Sequence, residues 1–429
     1  VNGLVDRPVL KTSPWLRGYS GFRPELILVL PETLQQRRSV PTMKYRQFCK
    51  TEWNISALSL MVMPLSAIGE DGPASSIGDL GEVIRHAIDG GVNYLDLGYP
   101  YHVKRPQDFY AQVRLALAGG YREKVKVALR LPSLLIRSPR DFDRHLEEQM
   151  QQARLKQADF CLLEGLNRDI WPRMKELGAI AWAEQAMWEG RIKELGFVFH
   201  DDHQYLRSVL QGYDHWAVAV FQYSYMDYRH HPGLSGLQMA AQHGLPVIAE
   251  DPFKGGRLLK EPPEEAAALL EEAVPQRTLA EWALLWGWHH PEVASVLAEI
   301  STLQQAKEYL ALAEKAEAGM LEVKDQLLLA RVREAYQKGR SVPCPACYCC
   351  MPCPQGIDAP RIMELYNEAL MFVDPGLPRF FYRLEGHRPE DCSECLLCTE
   401  KCPREYPIVE LLKKAEALFS NNASGCGAD

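Results

Sequence analysis

Between residue 56 and about residue 315, short apolar runs alternate with longer stretches in which apolar residues recur every three or four positions. These are the periods of buried strands and of one-sided helices. Eight runs predict strands, over 58–62, 94–97, 125–131, 160–163, 194–199, 217–223, 246–249 and 296–300. Helical spacing separates them, for example over 77–88, 139–152 and 171–189. Repeated βα units build either a closed barrel or a doubly wound open sheet. The open sheet usually carries a glycine-rich dinucleotide turn after its first strand, and none stands here. The reading is therefore an α/β fold, a (β/α)8 TIM barrel over residues 43–315, with functional residues at the C-terminal ends of its strands.

The flanks read differently. Residues 1–42 mix Pro, Arg and Ser without a period, and are expected to be a flexible or extraneous extension. A charged amphipathic stretch over 314–340 predicts a helix whose part from 316 to 340 links the barrel to a second domain over 341–410. Within that domain, Ile362, Leu365, Tyr366 and Leu370 give 359–371 a helical face, read as a connecting helix, and the tail over 411–429 is expected to fray after Ala417. Trp282, Trp286 and Trp288 have core spacing on one helix. His289 and His290 fall at its C-terminal end, where partial positive charge is favourable, and no metal is assigned to them.

Composition narrows the function. A formal charge of −8 on 429 residues argues against a nucleic-acid partner, because neutralising phosphates takes a local excess of Lys and Arg. Near the start the longest apolar run is 26–30, and no later run reaches membrane length, so a cytoplasmic protein without a membrane partner is expected.

Nine of the 12 cysteines crowd between Cys344 and Cys402, with Cys49, Cys161 and Cys426 outside, a clustering that suits metal binding rather than disulfides. Cys392, Cys395, Cys398 and Cys402-Pro403 have the CxxCxxCxxxCP spacing of bacterial ferredoxins, which the run resembles. Upstream, Cys344, Cys347, Cys350 and Cys353-Pro354 repeat it with a step shortened by one residue, and Cys349 is an extra thiol that competes with Cys350 for the register. By analogy with two-cluster ferredoxins, Cys344, Cys347, Cys350 and Cys402 would hold one [4Fe-4S] cluster, and Cys392, Cys395, Cys398 and Cys353 another. Structural zinc is the rival, but it has no use for a third cysteine or for the Cys-Pro step. The second domain is thus expected to be a small α-helical, ferredoxin-type iron–sulfur domain.

At the predicted strand ends stand Asp96, Tyr101, Arg130, Glu164, His200 and Asp201. Any one of them alone reads equally well as a rim salt bridge; together they favour a site. Val92-Asn-Tyr-Leu-Asp96, Tyr99-Pro-Tyr-His102, Gly196 to Asp202, Ala280-Glu-Trp-Ala283 and Cys350 to Asp358 together resemble the aldo-keto reductases, in particular a microbial branch with a C-terminal 4Fe-4S ferredoxin-type domain. The resemblance implies hydride transfer from NADP(H) to a carbonyl, with Tyr101 as proton donor and Asp96 beside it. Arg130 stands where the family has its Lys, and Glu164 where it has its His, as in a branch that reduces steroid double bonds. Ser301, Thr302 and Gln305 match the adenine end of the cofactor site, and Lys254 and Gly255 a loop on its phosphate side. Val198, Val220, Glu250 and Tyr309 depart from the family at other cofactor contacts.

Two functions follow. One is an iron–sulfur oxidoreductase reducing a small carbonyl or enone substrate in the barrel, served by a redox partner protein. The other is a non-catalytic electron-transfer or scaffold protein on a degenerate barrel, since a fold alone does not certify chemistry.

Overall fold

The computed structural model describes residues 42–48, 53–63, 80–101, 103, 105–228 and 232–420. The expected extension, apart from Thr42, lies outside the described residues, as do Cys49, His102 and Cys426.

A short antiparallel hairpin of β1 (Tyr45–Gln47) and β2 (Asn54–Ser56) comes first. Eight parallel strands follow: β3 (Leu58–Met61), β4 (Tyr94–Asp96), β5 (Lys126–Leu131), β6 (Ala158–Leu166), β7 (Ile192–Phe199), β8 (Ala219–Gln222), β9 (Val247–Glu250) and β10 (Val293–Glu299). They pair in chain order, and β10 returns to β3 with Val296 opposite Leu58, which closes the barrel. Each expected strand is present within a few residues. The hairpin seats on the N-terminal end of the barrel, where Arg46 donates to the Val293 and Trp288 carbonyls at 2.6 Å each. The C-terminal ends are left for the site.

Two expected helices differ from the sequence reading. The stretch over 171–189 is two helices, Ile170–Glu176 and Ala179–Trp188, because Gly178 between them takes a left-handed φ of 77° that ends one and re-aims the next. No single helix spans 314–340. The helix Leu303–Ala313 ends, Gly319 turns at φ 74°, and a new helix, Val323–Gln337, buries Leu329, Val332, Ala335 and Tyr336 in the barrel's own core. That helix packs against the barrel core and precedes the C-terminal module.

The C-terminal module has a second core, built from Ile362, Leu365, Leu411, Leu412, Ala415 and Phe419. Its main helix, Ala359–Met371, is capped by Asp358, which accepts from the Arg361 N–H at 3.1 Å. Far from fraying at 417, the last helix runs Ile408–Ser420, since Leu412, Ala415 and Phe419 recur on one face and anchor it. No helix among the described residues is long and apolar enough to cross a membrane.

Candidate active site and cysteine cavities

The strand-end residues converge on one guanidinium. Arg130, near the end of β5, is buried and holds Asp96 through Nε and Nη2 at 2.8–3.0 Å. The same Nη2 reaches Glu250 at 2.6 Å, and Nη1 lies 3.5 Å from Glu164. His200 lies 3.3 Å from the other oxygen of Glu250. Tyr101, on the loop after β4, donates its hydroxyl to Glu164 at 2.7 Å rather than meeting Arg130. Asp201 is turned aside, pairing with Arg168 at 2.6 Å.

Three carboxylates thus surround one permanent cation, and their environments separate them. Burial pushes Glu250 up, but Arg130 and His200 outweigh it and hold that carboxylate at about 2. For Glu164 burial prevails, so its pKa is raised although Arg130 and the Tyr101 hydroxyl oppose the change. Burial and the neighbouring Glu164 push the Tyr101 phenol well above its usual range. Among these groups Glu164 is the carboxyl whose proton is held more tightly than usual, with the Tyr101 hydroxyl oriented on it.

This cluster opens into a cavity of about 550 Å³ whose other wall is the C-terminal module, contributing Tyr348, Ile357, Arg361 and Phe381 among others. The module also covers the loop after β9. Lys254 is buried between Asp227 and Glu368, at 3.1 Å from each, and Arg257 meets Glu368 at 3.0 Å. A Cβ on Gly255 would lie 2.4 Å from Leu377. At the far side, Thr302 and Gln305 cap the helix Leu303–Ala313 reciprocally: Gln305 N–H donates to the Thr302 hydroxyl at 3.2 Å, and the Ser301 and Thr302 N–H groups donate to the Gln305 side chain. These five residues have structural partners within the chain.

In the module, Cys344, Cys347, Cys350 and Cys402 line one small cavity, and Cys353, Cys392, Cys395 and Cys398, with Cys350, line a second. Cys349 is exposed and lines neither. The ten described cysteines are all free thiols, and among the described residues no three His, Cys, Asp or Glu side chains converge closely enough for a single metal ion. The two runs wind alike. Ala346 and Tyr348 in the first, and Glu394 and Leu396 in the second, flank the second cysteine with φ between 50° and 62°. Three residues beyond the last cysteine of each run, Gly356 and Glu405 again have positive φ, at 72° and 55°. Left-handed turns at matched non-glycine positions carry a conformational cost and aim backbone N–H groups inward, as Glu394 N–H does to the Cys392 sulfur at 3.4 Å.

Strand-end reasoning found Asp96, Arg130 and Glu164, but it did not see Glu250 as the second anion on Arg130. Glu250 stands one residue past the expected strand 246–249, so the same rule could have found it. Tyr348, whose ring sits over the Arg168 guanidinium at 3.6 Å, had no signal beyond its place between two cysteines.

Comparison with known proteins agrees with the barrel. Residues 67–319 match the aldo/keto reductase family. Among solved structures, an aldo-keto reductase from Bacillus halodurans in its holo form is 20% identical, with a TM-score of 0.54 over 68% of this chain and 96% of that one. An aldo-keto reductase from Klebsiella pneumoniae in complex with NADPH is 18% identical, with a TM-score of 0.52 over 68% and 96%. The thermostable aldo-keto reductase Tm1743, in complex with the inhibitor epalrestat, is 20% identical, with a TM-score of 0.54 over 68% and 100%. No curated protein matches the sequence. In each structural case about a third of this chain has no counterpart.

Proposed function

This chain belongs to the aldo/keto reductase family, and from that premise we propose that it is an iron–sulfur oxidoreductase reducing a small carbonyl or enone substrate in the cavity at the barrel mouth. The observation that carries the reading is the position of Tyr348, which lines both that cavity and the small cavity of Cys344, Cys347, Cys350 and Cys402. What supports two [4Fe-4S] clusters is that each cysteine set gathers four thiols, at ferredoxin-like spacing, around one small hollow beside matched left-handed turns. When bound, such clusters supply single electrons. Cys344, Cys347, Cys350 and Cys402 would hold one, and Cys353, Cys392, Cys395 and Cys398 the other. A one-electron redox partner protein would reload them, and a cytoplasmic setting suits thiols that must stay reduced.

The chain's own residues supply the rest. Glu164, whose carboxyl pKa burial raises, delivers one proton to the substrate oxygen with the Tyr101 hydroxyl bonded to it, and two single-electron transfers with a second proton drawn from solvent complete the two-electron reduction. Arg130 is fixed by Asp96 and Glu250, and its charge offsets the anionic surroundings in which oxygen accepts electron density. The module walls the pocket and limits water. The family's reductant, NADP(H), fits these residues poorly. Lys254 is committed to Asp227 and Glu368, and Gly255 lies under Leu377.

A second reading, a non-catalytic electron-transfer or scaffold protein, draws on one observation. With Arg130 held by Asp96 and Glu250, its downward pull on the Tyr101 phenol is outweighed by burial and by Glu164, and the phenol is pushed up. Anaerobic EPR of the holo-protein separates the two. Under the first, dithionite yields reduced-cluster signals that carbonyl or enone substrates discharge, and NADPH yields none. If no carbonyl or enone discharges them, the enzyme reading is lost.

A further inference from the structure

Six arginines line the cavity at the barrel mouth: Arg130, Arg168, Arg173, Arg257, Arg361 and Arg388. Five are neutralised inside the protein. Arg130 pairs with Asp96 and Glu250, Arg168 with Asp201 and Asp202, Arg257 with Glu368, Arg361 with Glu364 and Glu385, and Arg388 with Glu390 and Asp391. Arg173 has no carboxylate partner among the described residues. Its Nη2 donates to the Ser133 carbonyl at 2.7 Å and more loosely to that of Leu134, while its buried Nε finds no acceptor. Burial and the like charge of Arg137 both work against its cationic form. A partly desolvated guanidinium bonded only to backbone carbonyls through Nη2, in a wall where every other guanidinium is matched, has no counter-ion among the described residues and keeps Nη1 to donate. Its planar fork suits a carboxylate.

Arg173 lies on the helix Ile170–Glu176, directly after β6, which carries Glu164. One βα unit therefore presents both the proton-bearing carboxyl and the unmatched cation to the same cavity. We propose that Arg173 anchors the negative group of the substrate, and that the substrate class is a carbonyl or enone compound bearing a carboxylate. This rests on the cavity being the reductive site. Arg173 is a specificity-determining residue in this assignment. It fixes which end of the substrate reaches Glu164 and Tyr101, and neutral carbonyls lose that hold.

The test is calorimetric binding to the full-length holo-protein, using a series of aliphatic and aromatic 2-keto acids, phenylglyoxylate among them, each beside its uncharged amide. A charge-assisted hydrogen bond predicts that the best acid binds about 10- to 100-fold tighter than its amide, with a preference that shrinks as salt rises. Arg173→Leu should erase the preference. Arg173→Lys, which keeps the charge and a donor for the Ser133 carbonyl, should restore part of it at an unchanged melting temperature and iron content. Equal binding of acids and amides across the series overturns the proposal, as does a preference that survives in Arg173→Leu. Binding of inorganic phosphate with no binding of any acid overturns the carboxylate assignment. Failure of the reductase reading looks different: charge-dependent binding at Arg173 would persist without any carbonyl-dependent discharge of the reduced protein.

Discussion

The Tyr101 hydroxyl donates to Glu164 at 2.7 Å, and this pairing, not a contact with Arg130, sets the acid–base character of the site. The phenol, bonded to a buried carboxyl, is pushed upward and made a weaker acid, while burial raises the pKa of Glu164 and makes its carboxyl the better candidate to hold the proton. An acid that must be protonated works below its pKa and fails above it. Reduction of a carbonyl acid, driven by a reduced viologen, should therefore fall as pH rises through the raised pKa of Glu164. Glu164→Gln should lower kcat/KM by about 10²- to 10⁴-fold and flatten that limb of the profile. A full-rate Glu164→Gln enzyme with the same pH limb would assign the proton to another group.

Arg130 carries the second expectation. Asp96 and Glu250 are buried around it, so Arg130→Met leaves two anions without their cation, at a cost of about 3–5 kcal/mol. Glu250 in the folded protein is held at about 2, below the ordinary glutamate value of 4.5. Its contribution to stability is fully present above about pH 4.5 and is lost as pH falls toward 2. Urea unfolding should show the wild type losing stability over that interval. Arg130→Met should be weaker at pH 7 and less sensitive to acid, because protonating Glu250 now relieves the folded state. Equal midpoints at pH 7 would show that the cluster is not held by Arg130.

How far the sequence reached depended on the range of the interaction. The barrel was legible because alternation along each strand is local: all eight strands stand within a few residues of where their apolar runs place them. The helix over 171–189 failed at Gly178, whose left-handed turn a periodicity count does not see. In helix Val323–Gln337 the charged face dominates the pattern, while Leu329 and Val332 reveal their place only against the barrel. In the site, strand ends identified Asp96, Arg130 and Glu164, but the sharing of Arg130 between Asp96 and Glu250 joins residues 120 positions apart. The burial of Lys254 against Glu368 likewise joins the β9 loop to a helix more than a hundred residues on, and no spacing rule connects them.

That Lys254–Glu368 pair locks the module to the barrel. Lys254 and Arg257 together hold Glu368 at about 2 against the upward push of burial. Replacing Glu368 by Ala leaves two buried cations facing one another, with Asp227 the remaining carboxylate on Lys254. Hydrogen exchange should then accelerate in the β9 loop and along the exposed edge of Ala359–Met371, while the N-terminal hairpin keeps its protection. NADPH should bind Glu368→Ala more tightly than the wild type, because Lys254 loses one of its two carboxylate partners. Uniform exchange rates in both proteins would mean that the pair contributes nothing to docking.

The cysteine geometry separates thiols that should matter from one that should not. Cys395 lines the second small cavity, Cys350 lines both, and Cys349 lines neither. Two four-iron clusters give about eight iron and eight inorganic sulfides per chain after anaerobic preparation. Cys395→Ser should reduce this to about four, because one set loses a thiolate while the other stays complete. Cys349→Ser should keep the full complement and an unchanged EPR spectrum. Cys350→Ser is the severest of the three, since that residue sits between the cavities and its loss disturbs both walls. Ligand binding and folding are linked in such modules, so Cys350→Ser should also lower the melting temperature of the second core around Leu365 and Leu412. Were Cys349→Ser to lose iron and Cys350→Ser to keep it, the register of the first run would shift by one residue. Stoichiometric zinc without iron in any preparation would remove the electron-transfer role altogether.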